Sequence, residues 1–248
     1  MERIEEELAK LLSAPAPAAY LDEKILGVVL PELSPEALAA AKPVVDACPA
    51  GERALPVRLA ALLLSLGEDG TRRTLRRLRC SNACIEETAV LVREVVSGVP
   101  GAFSSDTNRA IPSPALLPAA TGSHPSGRSS EKLPARPPVS LNIYTRKLLG
   151  QYGLKTVQRL AALGTALQPE HAADFAALSE LAEQLDADGV CCRVSQLAVN
   201  GRDLMAAGVP AGPGIRKVLE ALLDGVIREE YPNERQALLT AVQQLAAS

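Results

Sequence analysis

The chain is 248 residues long, 47% apolar and 2% aromatic, and its 26 Lys and Arg face 29 Asp and Glu for a formal net charge of −3. That length and apolar content suit one or two domains with a sizeable core and exclude a chain disordered throughout. The near balance of charge excludes a uniformly basic protein, so any polyanion site must be a local patch against an acidic remainder.

Leu and Ala dominate and aromatics are scarce, which favours helices over strands. The first helix places Ile4, Leu8, Leu11 and Leu12 on one face and is stopped by Pro15 and Pro17. A second apolar helix is predicted over 20–29, ended by Pro31. Ser34-Pro35-Glu36 is a helix start, with serine as cap and proline in the first turn. Residues 56–66 are strongly apolar up to Gly67, 71–79 read as a short basic helix, and Ser81 caps another that runs to about Val96. Ser, Pro and Gly then dominate 101–141, a composition that buries too little apolar surface to offset its ordering entropy and reads as a flexible insertion. Helical periodicity returns over 144–152, 154–163, 170–185 (closed near Gly189), 200–207, 213–229 and 233–246. The fold class is therefore all-α, with short helices packed pairwise. The organisation is a helical body over 1–100, the insertion at 101–141, the body continued over 142–190, and a tail over 191–248.

The five cysteines, Cys48, Cys80, Cys84, Cys191 and Cys192, contain no C-x-x-C pair, although Cys80 and Cys84 could share a helix face. Reduced thiols are expected, not a metal site or a disulfide framework, which fits a cytoplasmic protein. Met1 leads into an acidic stretch, unlike a secretory leader. No window approaches the roughly 18 apolar residues of a membrane span.

Two segments carry chemistry. In 71–79, Arg72, Arg73, Arg76, Arg77 and Arg79 surround Leu75 and Leu78. Arginine forks match phosphate oxygens bidentately, and neutralising several phosphates releases counterions. The bland alternative is a solvated face paired with acidic neighbours. The second segment is Gly208-Val209-Pro210-Ala211-Gly212-Pro213-Gly214-Ile215-Arg216-Lys217, a glycine-rich turn that opens a helix. The free amides of such a first turn favour an anion, and Arg216 and Lys217 add charge. Just upstream, Asn200-Gly201-Arg202-Asp203 spells a capping box. The alternative for this segment is an ordinary helical hairpin.

Other patterns do not support catalysis. Asp186-Ala187-Asp188 has the form used in two-metal nucleotidyl transfer, but it ends a helix before Gly189 instead of lying on a strand. Glu68-Asp69-Gly70-Thr71-Arg72, after Gly67 and around Gly70, spells E-D-x-x-R. The apolar helix ending Leu62-Leu63-Leu64-Ser65-Leu66-Gly67 lacks the His and Asp of a phosphohydrolase, and neither His124 nor His171 has the partners of a nucleophilic triad.

The string Leu197-Ala198-Val199-Asn200-Gly201-Arg202-Asp203-Leu204-Met205, followed by Gly212-Pro213-Gly214-Ile215 and Asn233-Glu234-Arg235, resembles the tail of the bacterial CCA-adding tRNA nucleotidyltransferases (class II, poly(A) polymerase-like family). Residues 1–33, with E-R-I-x-x-E-L-x-K-L-L and L-P-E-L, and 59–96, with L-R-R-L-R-x-S-N-x-x-I-E-E, resemble that family's helical body. The resemblance implies all-helical body and tail domains that grip the acceptor and T arms of tRNA, largely through phosphates. It implies tRNA-binding roles for Arg72, Arg73, Arg76, Arg77, Arg79, Asn200, Arg202, Gly212, Gly214, Arg216 and Lys217. The family's catalytic head, with its strand-borne D-x-D and its E-D-x-x-R, precedes the segment that opens this chain; Glu68–Arg72 falls instead within the body, where the resemblance implies a loop. The expectation is therefore a tRNA-binding part that is not catalytic by itself, without a cofactor of its own. Mg2+, CTP and ATP would belong to the whole enzyme, and a separate head polypeptide is a possible partner. Residues 106–111 would also run smoothly into 146–149 as one amphipathic helix, so 112–145 look inserted into it.

Two competing readings are separable. A helical scaffold that contacts only proteins would dock through Leu-rich faces and be insensitive to salt, unlike an arginine-rich RNA grip. An enzyme using Glu68, Asp69 and Arg72 to hold a nucleotide would respond to nucleotide titration.

Overall fold

The computed structural model describes residues 2–97 and 141–246, and its fold is all-α, with no strand among the described residues. Contacts divide it into two units, Met1–Pro138 with Gln158–Ala177, and Val139–Val157 with Leu178–Ser248. The insertion expected at 101–141 lies outside the described residues, except for Leu141, which opens a helix.

The first unit contains α1 (Glu2–Ser13), α2 (Glu23–Val29), α3 (Pro35–Ala47), α4 (Leu55–Leu63), α5 (Gly67–Arg77) and α6 (Asn82–Val96). Helix α4 is its centre: every residue from Pro56 to Leu63 is buried, and α1, α3, α5 and α6 all touch it. A helix apolar on all sides has no face to give to water, so neighbours must enclose it. Its one charged residue, Arg58, is 0% exposed. The guanidinium donates to the carbonyls of Leu12 (2.5 Å), Ala14 and Cys48 (3.1 Å), the unsatisfied C-terminal acceptors of α1 and α3. Side-chain caps start the helices as the sequence suggests: Ser34 Oγ accepts from the Ala37 amide, and Ser81 Oγ from the Cys84 amide.

The helix predicted over 20–29 is broken. Pro17–Tyr20 forms a 3-10 turn, Asp22 caps the next helix by accepting from the Lys24 and Ile25 amides, and α2 begins only at Glu23. Leu26 is buried on it while Ile25 and Val28 are 65% and 81% exposed. A two-turn helix on a surface hides one stripe only, so an apolar run does not fix which members are covered.

The remaining helices are α7 (Leu141–Tyr152), α8 (Leu154–Leu167), α9 (Ala172–Ala187), α10 (Gly201–Ala206), α11 (Pro213–Ile227) and α12 (Arg235–Ala246). Helix α7 starts three residues before the predicted position, and Thr145, fully buried, donates from Oγ1 to the Leu141 carbonyl at 2.7 Å. Residues 141–145, the end of the stretch expected to be inserted, are thus helical and open α7, while 112–140 lie outside the described residues. A 3-10 turn, Pro169–His171, replaces the first turn predicted for the helix that becomes α9. The second unit's core is Val199, Leu204, Leu222, Val226, Leu238 and Val242 with their neighbours. At Gly225 a β-carbon would meet the Tyr231 hydroxyl at 2.1 Å, so the α11 backbone approaches that ring more closely than any side chain would allow.

Candidate nucleic-acid interface

Helix α5 begins at Gly67, four residues earlier than predicted, and its first turn holds Glu68 and Asp69. Carboxylates there are favoured by the helix dipole. The E-D-x-x-R string is therefore helical, not looped, and its ends pair internally, Arg72 Nη2 to Glu68 Oε1 at 3.0 Å.

Thr71, Thr74, Leu75 and Leu78 bury one side of α5 and the turn after it. The five arginines then divide. Arg72 is held between Glu68 and Glu86 and is 20% exposed. Arg77 forms a bidentate pair with Glu32 (2.8 and 2.7 Å) and also donates to the Val29 carbonyl at 2.9 Å. Burial would raise the Glu32 carboxyl, but the Arg77 hydrogen bonds and charge outweigh it and hold the group below its ordinary value. The hydrogen bond from Arg72 likewise holds Glu86 low. Arg73, Arg76 and Arg79 are exposed, and none of the three has an ion pair among the described residues. Arg79 adopts φ 64°, and the chain reverses there as the Cys80 amide donates to the Leu75 carbonyl.

In the second unit the predicted capping box is present. Asn200 Oδ1 accepts from the Arg202 and Asp203 amides, and Asp203 Oδ2 accepts from the Asn200 amide at 2.9 Å. The Asn200 oxygen is thus occupied in shaping α10, while Arg202 points to solvent. Helix α11 opens at Gly212, whose φ of 141° suits glycine; no side chain caps that end and no acid lies in its first turn. Gly212, Gly214, Arg216 and Lys217 are all exposed. Arg216 makes an i,i+4 pair with Glu220 at 2.8 Å while remaining 85% exposed. A β-carbon at Gly201 would lie 3.3 Å from Ile215 Cγ2, so the beginnings of α10 and α11 are side by side. Arg202, Arg216 and Lys217 each lie within two residues of that contact.

Other residues, not singled out as site residues from sequence, hold this arrangement. Asn233 accepts from the Ala198 amide and donates to the Gln196 carbonyl, both at 2.9 Å, and Arg235 Nη2 donates to Asp203 Oδ1 at 2.5 Å. The Asn233-Glu234-Arg235 string therefore clamps the entry to α10 onto the start of α12. Arg146 pairs with Glu229 at 3.0 Å and Lys147 with Asp224 at 2.7 Å, fixing α7 against α11. These pairs join residues about 80 apart in sequence, so no local pattern announces them.

The Asp186-Ala187-Asp188 pair closes α9: Asp188 and Gly189 (φ 63°) turn their amides back to Gln184 and Asp186. Among the described residues no three His, Cys, Asp or Glu converge as a metal site would need. No described helix is long and apolar enough to cross a membrane.

Residues 142–242 match the family described as "tRNA nucleotidyltransferase domain 2 putative". Over that stretch, about two fifths of the chain, the protein is similar to tRNA nucleotidyltransferases. The match takes in the α10–α11 turn and its cations but not the arginines of α5. No curated protein and no solved structure matches the chain.

Proposed function

We propose that this chain is the tRNA-holding part of an enzyme that adds the 3′-terminal CCA to tRNA in the cytoplasm. Nucleotidyl transfer, with its Mg2+, CTP and ATP, belongs to a catalytic head, carried on a separate polypeptide or joined to these residues in a longer one. The observation that carries this reading is the family match over 142–242, which contains an exposed, uncapped helix start flanked by Arg202, Arg216 and Lys217. Free amides and nearby cations suit a backbone phosphate. Arg73, Arg76 and Arg79 on and after α5 add a second set of exposed forks. With only 2% aromatic residues there is little surface for base stacking, so the acceptor and T arms would be held by phosphate and shape.

The test is binding of the full chain to tRNA lacking its CCA end across a salt series, with Arg202, Arg216 and Lys217 changed to Ala in parallel. Log affinity is expected to fall linearly with log salt, with the slope shallower by roughly 2–3 in the triple variant. Affinity independent of salt, or absent at low salt, would overturn the reading and favour a helical scaffold for proteins.

A further inference from the structure

Helix α12 opens with an arginine that the tRNA-holding reading leaves out. The Arg235 side chain is 64% exposed, yet its Nη2 is committed to Asp203 Oδ1, on a carboxylate that is only 11% exposed. The other oxygen of that carboxylate accepts from the Asn200 amide at 2.9 Å, and Asn200 Oδ1 accepts in turn from the Arg202 amide at 2.9 Å. A continuous run of hydrogen bonds thus joins the first residue of α12 to the backbone of Arg202. Arg202 itself is exposed and has no ion pair among the described residues.

We infer that Arg235 is a positioning residue for the tRNA grip: it orients Arg202 and the α10–α11 corner through Asp203, without touching RNA. This role rests on the tRNA-holding reading of the same corner. An ionised carboxylate only accepts hydrogen bonds. One Asp203 oxygen has the Asn200 amide, and Arg235 supplies the donor for the other. Without that donor, a nearly covered carboxylate gains by turning out to water, and the Asn200 amide then loses its acceptor. Helix α10 has only six residues, so the bonds at its start are a large part of what shapes it. A shift there passes to α11, because Gly201 abuts Ile215.

Arg235 is delivered to Asp203 by bonds that need no RNA. Asn233, two residues earlier, holds the Ala198 amide and the Gln196 carbonyl just before α10. Leu204, next to Asp203, and Leu238, three residues after Arg235, are both 0% exposed in the same buried cluster. Charge alone makes the opposite prediction for Asp203. Removing an acid beside a polyanion site, and freeing an arginine there, would tighten binding; positioning requires that it weaken.

The experiment measures binding of the full chain to tRNA lacking its CCA end across a salt series, for Arg235→Gln, Asp203→Asn, the two together, and Arg202→Gln as the reference for a direct phosphate contact. Arg235→Gln should lower affinity roughly three- to tenfold with the salt slope unchanged, whereas Arg202→Gln should flatten the slope by about 1. Asp203→Asn should also weaken binding, and the double variant should bind no more weakly than Asp203→Asn alone. Without RNA, the Arg202 and Asp203 amides should exchange hydrogen faster in Arg235→Gln, at a temperature where both forms are folded. A flattened slope in Arg235→Gln would make Arg235 a phosphate contact and overturn the role. So would tighter binding by Asp203→Asn, or unchanged amide exchange. Each of these leaves the tRNA-holding reading standing; a parent chain that binds no tRNA at low salt would overturn that reading and this role together.

Discussion

The two basic regions reach positive charge by opposite routes. Helix α5 has many arginines, but Arg72 and Arg77 are tied to Glu68, Glu86 and Glu32 and serve to fasten the helix to its own unit. The α10–α11 turn has fewer cations, yet Arg202 and Lys217 are exposed and the uncapped α11 start adds the charge of its own backbone. Counting arginines therefore overstates the first region and understates the second. What counts for a polyanion is charge left over after the fold has taken its share.

Arginine is in fact used in three ways in the first unit, and substitutions should separate them. The largest effect is expected at Arg58, where Arg58→Ala leaves the Leu12, Ala14 and Cys48 carbonyls without their donor and opens a void in the core. A loss of roughly 3–5 kcal/mol is expected in denaturant unfolding, the range typical of a broken buried charged network. A loss below about 1 kcal/mol would mean water replaces the guanidinium and the helix ends do not depend on it.

A middle effect comes from contrasting the two arginine classes on and after α5. Replacing Arg73, Arg76 and Arg79 with Ala should leave stability within about 0.5 kcal/mol per site and weaken tRNA binding, with a salt slope shallower by roughly 2–3. Replacing Arg72 and Arg77 should do the reverse, costing up to about 1 kcal/mol per pair in stability while changing the salt slope less. Equal effects on binding from both sets would erase the distinction between paired and exposed arginines.

The smallest effect is in pH. The Glu32 and Asp224 carboxyls sit below their ordinary values of 4.5 and 3.8 because Arg77, and Lys147 with Arg228, outweigh the cost of burying them. A depressed folded-state value means the unfolded chain binds the proton more readily. The contribution is therefore complete above about pH 5 and is lost as pH falls through those values. Because the groups are partly solvated, each pair should account for well under about 1 kcal/mol. Unfolding midpoints at pH 6 and pH 3 should thus fall with acid in the parent, and less in Glu32→Gln. An unchanged acid sensitivity in Glu32→Gln would remove that pair from the account.

The helical class, most caps and the box at Asn200 and Asp203 were legible in the chain because each depends on residues within one turn of one another. The same locality made α4 readable as a core helix, since nothing but burial suits a segment apolar all round. Helix starts were harder. The resemblance implied a loop around Gly67 and Gly70, yet the segment is helical, with Thr71 and Leu75 buried on its inner face. Burial outweighs the roughly 1 kcal/mol that an interior glycine such as Gly70 costs, while Gly67 sits at the helix start with φ 65°, which suits glycine.

The roles of individual charged residues belong to tertiary structure alone. Arg58 and Arg76 carry the same group, but one is sealed against three carbonyls and the other faces solvent. Glu32 is 45 residues from the arginine it holds, and Asn233 is 35 from the amide it caps. By itself the sequence determined where helices form, because helix propensity, capping and apolar period act within a few residues. Only the packed chain decided which charges stay available, because an ion pair is fixed by distance in space, and that distance exists only once the helices are assembled.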